Sequence, residues 1–193
     1  SWMDALYTDR EGNVWTNVDG GLNLFNPSQQ KIAVFKTRPD SVRHWKAVTD
    51  FLQTQQGDIF VCYAGSGVDH FNANFKKIET LEVLDGQHPR FKSWFNFALV
   101  EAEHGKIWIG GDMDFNGDGK GDGWITEYDP QTKAINYFPC DVCDGSPILR
   151  FYKIPSGDIW MSVNNYEGLV KWSAKQRTFK KYPIPAPDRF SKL

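Results

Sequence analysis

Apolar and polar residues alternate along short stretches of this chain, and each stretch ends at a turn rich in glycine, asparagine, aspartate or proline. In the first group, residues 5–8, 14–18, 22–26 and 32–36 read as four successive strands. Asp19-Gly20-Gly21 supplies residues that accept the positive φ angles of a tight hairpin. A helix would place apolar residues three and four positions apart, so the alternation predicts a four-stranded antiparallel meander.

This group of strands returns three more times. The copies begin at Gly12, Gly57, Gly105 and Gly157, which are 45, 48 and 52 residues apart. Four short strands in each period of this length are typical of β-propeller blades. We therefore predict an all-β fold, a β-propeller segment of four blades with four antiparallel strands each. The predicted blades cover residues 1–38, 45–84, 93–139 and 147–183, and a tail covers residues 184–193. Strands of the later groups are expected over residues 48–81, 97–138 and 148–182.

Two positions of the repeat carry large aromatic rings. The first position holds Trp15, Phe60, Trp108 and Trp160, and the second holds Phe25, Phe71, Tyr128 and Trp172. Rings that recur at fixed positions usually fill the space between neighbouring blades. We therefore assign them to the scaffold and expect ligand contacts among the residues that do not repeat.

Charge and hydropathy exclude several classes of partner. The 193 residues carry 22 Lys plus Arg against 24 Asp plus Glu, without a long block of one sign. This balance argues against nucleic acid and against an anionic membrane surface as partners. No apolar run reaches the roughly 18 residues that span a bilayer, so we expect no membrane contact by this segment. The first residues are neither a start nor a signal peptide, and we expect the chain to derive from a longer protein.

The three cysteines are too few for a disulfide scaffold. Cys62 lies within a strand pattern and is predicted to be a small buried hydrophobe. Cys140 and Cys143 are close enough in sequence to close a local disulfide in an oxidising compartment, or to form half of a zinc site. The sequence offers no second ligand pair for zinc, and both alternatives stay open at this stage.

The residues from Asp9 to Pro27 carry a family resemblance. Their pattern, Asp-x-x-Gly-Asn-Val-Trp followed by Gly-Gly-Leu-Asn-Leu-Phe-Asn-Pro, resembles the regulator-propeller repeats in the periplasmic sensor region of Bacteroides-type hybrid two-component system proteins. The resemblance covers all four repeats. It is weaker in the second, where Phe60 replaces the tryptophan, and in the fourth, where Ile154 stands at the place of Asp9.

The resemblance implies a fold, a location and a function. Such sensors fold into seven-bladed propellers followed by a β-sandwich, a membrane helix, a histidine kinase, a receiver and a DNA-binding domain, none of which lies in this sequence. It implies that this segment is the periplasmic part of an inner-membrane sensor, that it is not itself an enzyme, and that it responds to a glycan-derived oligosaccharide. Its partners would be that ligand and the rest of the parent sensor.

A four-blade piece of a seven-bladed ring would leave two apolar blade faces uncovered. Uncovered sheet faces favour pairing with another chain. We therefore expect the chain to associate with a second copy or to close poorly, and a closed, strictly monomeric four-blade ring would contradict this expectation.

The third repeat contains an acidic loop, residues 111–123, in place of a short hairpin. The oxygen ligands for a calcium ion would come from Asp114, Asn116, Asp118, the carbonyl of Lys120, and Asp122. Gly119 would permit the sharp turn of the loop. Ile125 stands where an EF-hand has glutamate, so the loop resembles instead those between strands of integrin-type propellers and in dockerins. The alternative is a solvated turn of glycine and aspartate without a metal.

The connectors between blades and the hairpins between second and third strands share one end of a propeller, which we term the candidate end. Candidate ligand contacts at this end are Arg43, His44, Trp45, Arg90 and Trp94. Aromatic rings beside such polar groups suit a sugar, which stacks its C–H faces and hydrogen-bonds through its hydroxyls. The alternative is that the tryptophans only pack at the rim of the ring.

Two other classes of function compete with the sensor. Some antibiotic-inactivating lyases have similar Gly-x-x-Trp propeller repeats and use a divalent metal with histidine and glutamate. Here His44, His88 and Glu167 are the residues that could reach the candidate end. A propeller that only binds proteins or serves as a scaffold is the third class, because the fold by itself specifies no activity.

Overall fold

The fold is an arc of four-stranded antiparallel sheets. The computed structural model describes residues 6–18, 21–29, 31–35, 47–64, 67–81, 93–113, 124–164 and 168–183. Within these residues sixteen strands form four sheets, and in each sheet the strands lie side by side in chain order. The predicted all-β propeller architecture is therefore confirmed.

Each sheet is one blade. Blade 1 contains β1 (Leu6–Thr8), β2 (Val14–Val18), β3 (Gly21–Asn26) and β4 (Lys31–Phe35). Blade 2 contains β5 (Val48–Gln53), β6 (Ile59–Tyr63), β7 (Gly67–Phe71) and β8 (Lys77–Leu81). Blade 3 contains β9 (Ser93–Glu101), β10 (Ile107–Met113), β11 (Trp124–Tyr128) and β12 (Ile135–Pro139). Blade 4 contains β13 (Ile148–Lys153), β14 (Ile159–Val163), β15 (Gly168–Ser173) and β16 (Thr178–Pro183).

The first strands of neighbouring blades adjoin each other. Strand β5 contacts β9, and β9 contacts β13, so these strands line the axis of the arc. Strand β9 begins at Ser93, four residues before the start predicted at residue 97. Its longer N-terminal part follows β10 as far as Met113, with register shifts at Gly110/Gly111 and Asp112/Met113.

The buried side chains form clusters between blades. The clusters combine Trp15 with Ile59 and Phe71, Phe60 with Ile107 and Tyr128, and Trp108 with Ile159 and Trp172. Six of the eight repeated rings therefore fill the junctions between neighbouring blades, as predicted, whereas Trp160 and Phe25 belong to none of the three described clusters. Cys62 is fully buried at the second junction, which confirms its assignment as a small core residue.

No described cluster of buried residues covers the outer faces of the two terminal blades. None of the three described clusters combines residues of blade 4 with residues of blade 1. Of the large hydrophobic side chains that are exposed in the described residues, all but Ile78 lie on these two faces. They are Leu6 and Phe25 on blade 1 and Tyr152, Leu169 and Tyr182 on blade 4.

The signature of the first repeat is a turn held by one carboxylate. Asp9 accepts hydrogen bonds from the backbone N–H of Glu11 at 3.1 Å and of Asn13 at 2.8 Å. Its second oxygen accepts from the side-chain amide of Asn13 and from Trp15 Nε1, both at 2.9 Å. These bonds outweigh the effect of burial and lower the pKa of Asp9. Gly12 lies between them at φ 79°, where a side chain would strain the turn.

The turn between the third and fourth strands links blades 2, 3 and 4 to the blade that precedes each of them. In the turn between third and fourth strands, Phe75, Lys133 and Arg177 have φ angles of 60°, 60° and 55°. The Phe75 ring lies 5.0 Å from Trp15, Lys133 Nζ lies 2.6 Å from Glu79, and Arg177 Nη1 lies 3.2 Å from Glu103. One backbone conformation thus supports an apolar contact, a partly buried ion pair and an exposed ion pair at successive junctions.

The connector between blades 3 and 4 contains a disulfide. Cys140 and Cys143 are bonded, with Cα atoms 5.2 Å apart, and each residue is only 3% exposed. The backbone N–H of Cys143 also donates to the Cys140 carbonyl at 2.9 Å. The disulfide alternative is therefore correct, and the two sulfurs are not available as zinc ligands.

Candidate functional site

The end of β10 and the starts of β9, β11 and β13 lie at the candidate end. Strands β10 and β11 pair from Ile107 opposite Tyr128 to Gly110 opposite Ile125, and the acidic loop joins them beyond that point. The predicted site residues Arg43, His44, Trp45, Arg90, Asp114, Asn116, Asp118, Lys120 and Asp122 lie outside the described residues. Trp94 lies in β9, where only its backbone is described. The proposed calcium ligands and sugar contacts therefore stay predictions.

Asn96 is a buried polar residue of β9, two residues after the predicted contact Trp94. It is fully buried in β9 opposite Gly111, two residues before the end of β10. Thr49 Oγ1 donates to its backbone carbonyl at 2.8 Å, while no described residue hydrogen-bonds to either polar atom of its side-chain amide. Burying such an amide unpaired costs about 1–3 kcal/mol, so this position favours a polar group or a water beside it.

Asn96 is not among the site residues predicted from the sequence, although its position in the repeat distinguishes it. Val48 and Ile148 occupy the same position in blades 2 and 4, and both are fully buried in junction clusters. A polar amide at a position that is otherwise apolar is the signal that distinguishes this blade.

Two charged residues hold the axial strand β9 from both sides. Asp50 accepts the backbone N–H of Leu99 at 2.8 Å and that of Phe51 at 2.9 Å. On the other side, Arg150 Nη1 donates to the Phe97 carbonyl at 2.9 Å. Burial raises the pKa of Asp50 to about 6, against the lowering effect of the two N–H donors and Arg150. The axis therefore contains a carboxyl group that titrates near neutral pH.

The opposite end of the arc contains a buried polar cluster between blades 2 and 3. His70 is 2% exposed and stacks on Phe60 at 4.2 Å. Its Nε2 lies 2.9 Å from Asp58 and its Nδ1 lies 3.0 Å from Glu79, so an imidazolium would donate to both carboxylates. With both ring nitrogens occupied and almost no exposure, His70 serves packing rather than catalysis.

Glu79 is the centre of this cluster. Its Oε1 accepts the Tyr128 hydroxyl at 2.5 Å and Lys133 Nζ at 2.6 Å, in addition to His70. Burial opposes ionisation of Glu79, but these donors prevail and lower its pKa to about 2. Burial and the Glu79 carboxylate raise the pKa of Tyr128. The arrangement holds two blades together through a negatively charged acceptor.

Blades 2, 3 and 4 share a pair of one acidic and one basic side chain, of which one precedes the second strand and the other lies in the third strand. The pairs are Asp58 with His70 at 2.9 Å, Lys106 with Glu127 at 2.7 Å, and Asp158 with Lys171 at 2.6 Å. His70, Glu127 and Lys171 each lie opposite the first repeated aromatic ring. In blade 3 the order of the two residues is reversed, because the basic Lys106 precedes the second strand and the acidic Glu127 lies in the third. Glu127 also accepts a hydrogen bond from Trp108 Nε1 at 3.1 Å.

A cleft between blades 3 and 4 is too small for an oligosaccharide. It is bordered by Glu103, His104, Glu127, Trp172 and Arg177, at the end opposite the candidate end. Its volume of about 60 Å³ accommodates only a few water molecules. Among the described residues, no group of three or more His, Cys, Asp or Glu side chains is arranged to hold a metal ion.

The four sheets and the junctions between them define the class of structure, a segment of a β-propeller. No known family model and no curated protein matches the sequence. Among solved structures, the extracellular domain of the hybrid two-component system BT3049 from B. thetaiotaomicron is similar, with a TM-score of 0.71 and 22% identity over 94% of this chain and 24% of that one. The extracellular domain of BT4673 from the same organism has a TM-score of 0.70 and 14% identity over 96% of this chain and 24% of that one.

A second group of similar structures consists of enzymes. A catalytically inactive histidine-to-alanine variant of virginiamycin B lyase from Staphylococcus aureus, solved with quinupristin, has a TM-score of 0.69 and 13% identity over 96% of this chain and 56% of that one. The chain therefore spans about half of the lyase and about a quarter of each sensor domain. At these identities the likeness establishes the propeller fold.

Proposed function

We propose that this chain is part of the extracytoplasmic, ligand-sensing portion of a hybrid two-component signalling protein. The observation that carries the proposal is its similarity to the extracellular domains of two such systems, at TM-scores of 0.70 and 0.71. The Asp-x-x-Gly-Asn-Val-Trp signature of the first repeat independently resembles the repeats of that family. Signal transmission would require the remainder of the parent protein.

The disulfide supports the proposed location. Cys140 and Cys143 form a bond of a kind that persists mainly in oxidising compartments such as the bacterial periplasm. No helix in the described part of the chain is long and apolar enough to cross a membrane. An extracytoplasmic segment of an inner-membrane protein is consistent with the disulfide.

We assign the ligand-binding role to the candidate end and propose a glycan-derived oligosaccharide as the ligand. Trp45 and Trp94 would stack on sugar rings, and Arg43, His44 and Arg90 would bind hydroxyl or carboxylate groups. The unpaired amide of Asn96 supports a polar ligand or ordered water near this end. Calcium bound by the acidic loop would fix the loop beside that ligand.

A thermal-shift screen of the 193-residue chain against defined oligosaccharides tests the sensor proposal. We expect at least one oligosaccharide to raise the melting temperature in a concentration-dependent way, because a ligand that binds only the folded state stabilises it. Trp45→Ala and Trp94→Ala should remove this rise, whereas Tyr152→Ala, an exposed ring on the outer face of blade 4, should retain it. A screen with no hit, or a rise that persists in both tryptophan variants, would contradict the assignment.

A metal-dependent lyase is the second candidate, because the lyase structures match this chain over 96% of its length. Neither described histidine favours it. His70 is buried with both nitrogens occupied, and His104 lies in the turn between β9 and β10, at the end opposite the candidate end. Incubation with a streptogramin B antibiotic and a divalent metal would support the lyase if a linear product formed and His44→Ala abolished it.

A further inference from the structure

The junction between blades 2 and 3 contains a carboxylate at the end opposite the candidate end. Glu79 of blade 2 provides this carboxylate, and its Oε1 atom contacts three side chains, those of His70, Tyr128 and Lys133. At the junction between blades 3 and 4, the same three repeat positions hold Glu127, Trp172 and Arg177. All three border the cleft of about 60 Å³ between these blades. The cleft therefore lies where the preceding junction holds a carboxylate.

Blade 3 has an amide at the repeat position of Glu79. Asn136 lies opposite Glu127 in the pairing of β11 with β12, as Glu79 lies opposite His70 in the pairing of β7 with β8. Asn136 is exposed and does not border the cleft. The side chain that fills the preceding junction thus has no acidic counterpart at this one.

The cleft is bordered by hydrogen-bond donors that the described residues do not fully use. Trp172 is 9% exposed, and no described residue accepts a hydrogen bond from its Nε1 atom. Arg177 pairs with Glu103 through Nη1 alone, at 3.2 Å, and Lys106 Nζ donates to Glu127 at 2.7 Å. Both basic groups retain further N–H donors. These donors suit a small ligand that is rich in acceptors and negatively charged.

The two acidic residues at the cleft do not prevent an anion from binding. Both oxygens of Glu127 are engaged, one by Lys106 Nζ and the other by Trp108 Nε1 at 3.1 Å. Glu103 is 40% exposed and Arg177 is 72% exposed. Exposed ion pairs contribute little to stability, so a ligand could replace Glu103 as the partner of Arg177 at small cost.

We propose that this cleft binds a short monocarboxylate, of the size of formate or acetate, where the preceding junction places the Glu79 carboxylate. Arg177 and Lys106 supply charged N–H donors, and Trp172 Nε1 supplies a neutral one. A volume of about 60 Å³ holds a few water molecules, so it admits a carboxylate with a very short chain and excludes aromatic acids. The site lies opposite the candidate end and does not depend on the sensor proposal.

Titration of the isotope-labelled 193-residue chain with sodium acetate, followed by NMR of its N–H groups, tests the proposal. We expect the indole N–H resonance of Trp172 to shift and to saturate, with a Kd on the order of 1 mM. Sodium formate should produce a similar saturable shift. Sodium chloride and sodium benzoate at the same ionic strength should not, because chloride lacks the shape of a carboxylate and benzoate exceeds the volume of the cleft.

Arg177→Gln removes the main charged donor and should weaken acetate binding at least about tenfold. The matched control is Lys133→Gln, the same change at the same repeat position of blade 3, which should retain the native affinity because Lys133 contacts the preceding junction. Arg177 is 72% exposed, so its replacement should leave the dispersion of the NMR spectrum unchanged.

Asn136→Glu gives the decisive measurement, because it places a carboxylate at the repeat position of Glu79. The new side chain should occupy the cleft and abolish the response of Trp172 to acetate. Gln131→Glu adds the same charge in an exposed turn of blade 3 and should retain the response. A Trp172 resonance that does not saturate with acetate, an equal shift with chloride, or native affinity in either Arg177→Gln or Asn136→Glu would overturn the proposal.

Discussion

Lys133 and Glu79 belong to neighbouring blades, and the Nζ atom of the first lies 2.6 Å from the Oε1 atom of the second. Lys133 has a φ angle of 60° and lies in the turn between β11 and β12, from which its side chain contacts the preceding blade. Glu79 is 11% exposed and Lys133 is 46% exposed, so the acceptor is shielded and the donor is in contact with water. Removing the acceptor would therefore disturb more than removing the donor.

We expect Glu79→Gln to lower the free energy of unfolding by about 2 kcal/mol at pH 7, since the neutral amide weakens three charge-assisted contacts. The pKa of Glu79 lies below its ordinary value of 4.5, at about 2. Its contribution is therefore complete above pH 4.5 and is lost as the pH falls toward 2. Urea unfolding at a series of pH values should show a steeper acid loss in the native chain than in the variant.

Glu103→Gln is the matched control for this prediction, because Glu103 pairs with Arg177 in the same way at an exposed junction. Exposed ion pairs contribute little, so we expect a change below about 0.5 kcal/mol. Equal losses in both variants would show that shielding of Glu79 has no energetic role.

The raised pKa of Asp50 predicts that its contribution to the free energy of unfolding falls as the pH rises, which is opposite to the contribution of Glu79. Burial raises its pKa from 3.8 to about 6, so the folded chain binds a proton more tightly than the unfolded chain. This contribution to stability is present at low pH and declines as the pH rises from about 4 to about 6. Relative to Asp50→Asn, the native chain should lose about 3 kcal/mol over that interval, measured by urea unfolding. Asp144→Asn, a change at an exposed carboxylate, should not alter the profile.

The disulfide should stabilise the chain measurably. Cys140→Ser combined with Cys143→Ser is expected to lower the free energy of unfolding by about 2 kcal/mol, the effect of opening a short loop. A reducing agent should lower the urea concentration at the unfolding midpoint of the native chain. It should leave the midpoint of the double variant unchanged. Cys62→Ala should retain the response to the reducing agent, since Cys62 is a free thiol in the core.

If the acidic loop binds calcium, isothermal titration of the chain with calcium should detect a heat of binding. The affinity could be as weak as about millimolar if the loop behaves like other extracellular modules. Asp118→Ala should abolish the heat, because Asp118 would supply a central carboxylate. The Asp144→Ala variant removes an exposed carboxylate outside the loop and should bind calcium as the native chain does. Absence of heat in the native chain would remove the metal site.

The periodic part of the fold was predictable because the same physical requirement recurs in every blade. Alternating apolar residues and glycine-rich turns gave the four sheets, and the repeated rings gave the junctions. Trp160 and Phe25 depart from the prediction because they lie on the outer faces, where no described blade covers them. Periodicity indicates which residues point toward a neighbour and does not indicate whether a neighbour is present.

The polar contacts between blades were not predictable in the same way. Asp50 and Glu79 lie in strands whose pattern reads as ordinary, and their partners Leu99 and Lys133 are distant in sequence. Only the three-dimensional arrangement brings them together. The predicted ligand and calcium residues depend on single loops that do not repeat, so periodicity carries no information about their geometry.

The acid–base pairs of blades 2, 3 and 4 bear on how such repeats diverge. The acid precedes the second strand in Asp58 and Asp158, whereas Lys106 holds that position in blade 3 and Glu127 takes the acidic role. Blades 3 and 4 thus keep an ion pair at these two positions with the acidic and basic residues exchanged. Gene duplication can therefore be followed by paired substitution, and an evolutionary comparison of the repeats should look for residues that change together instead of residues that stay the same.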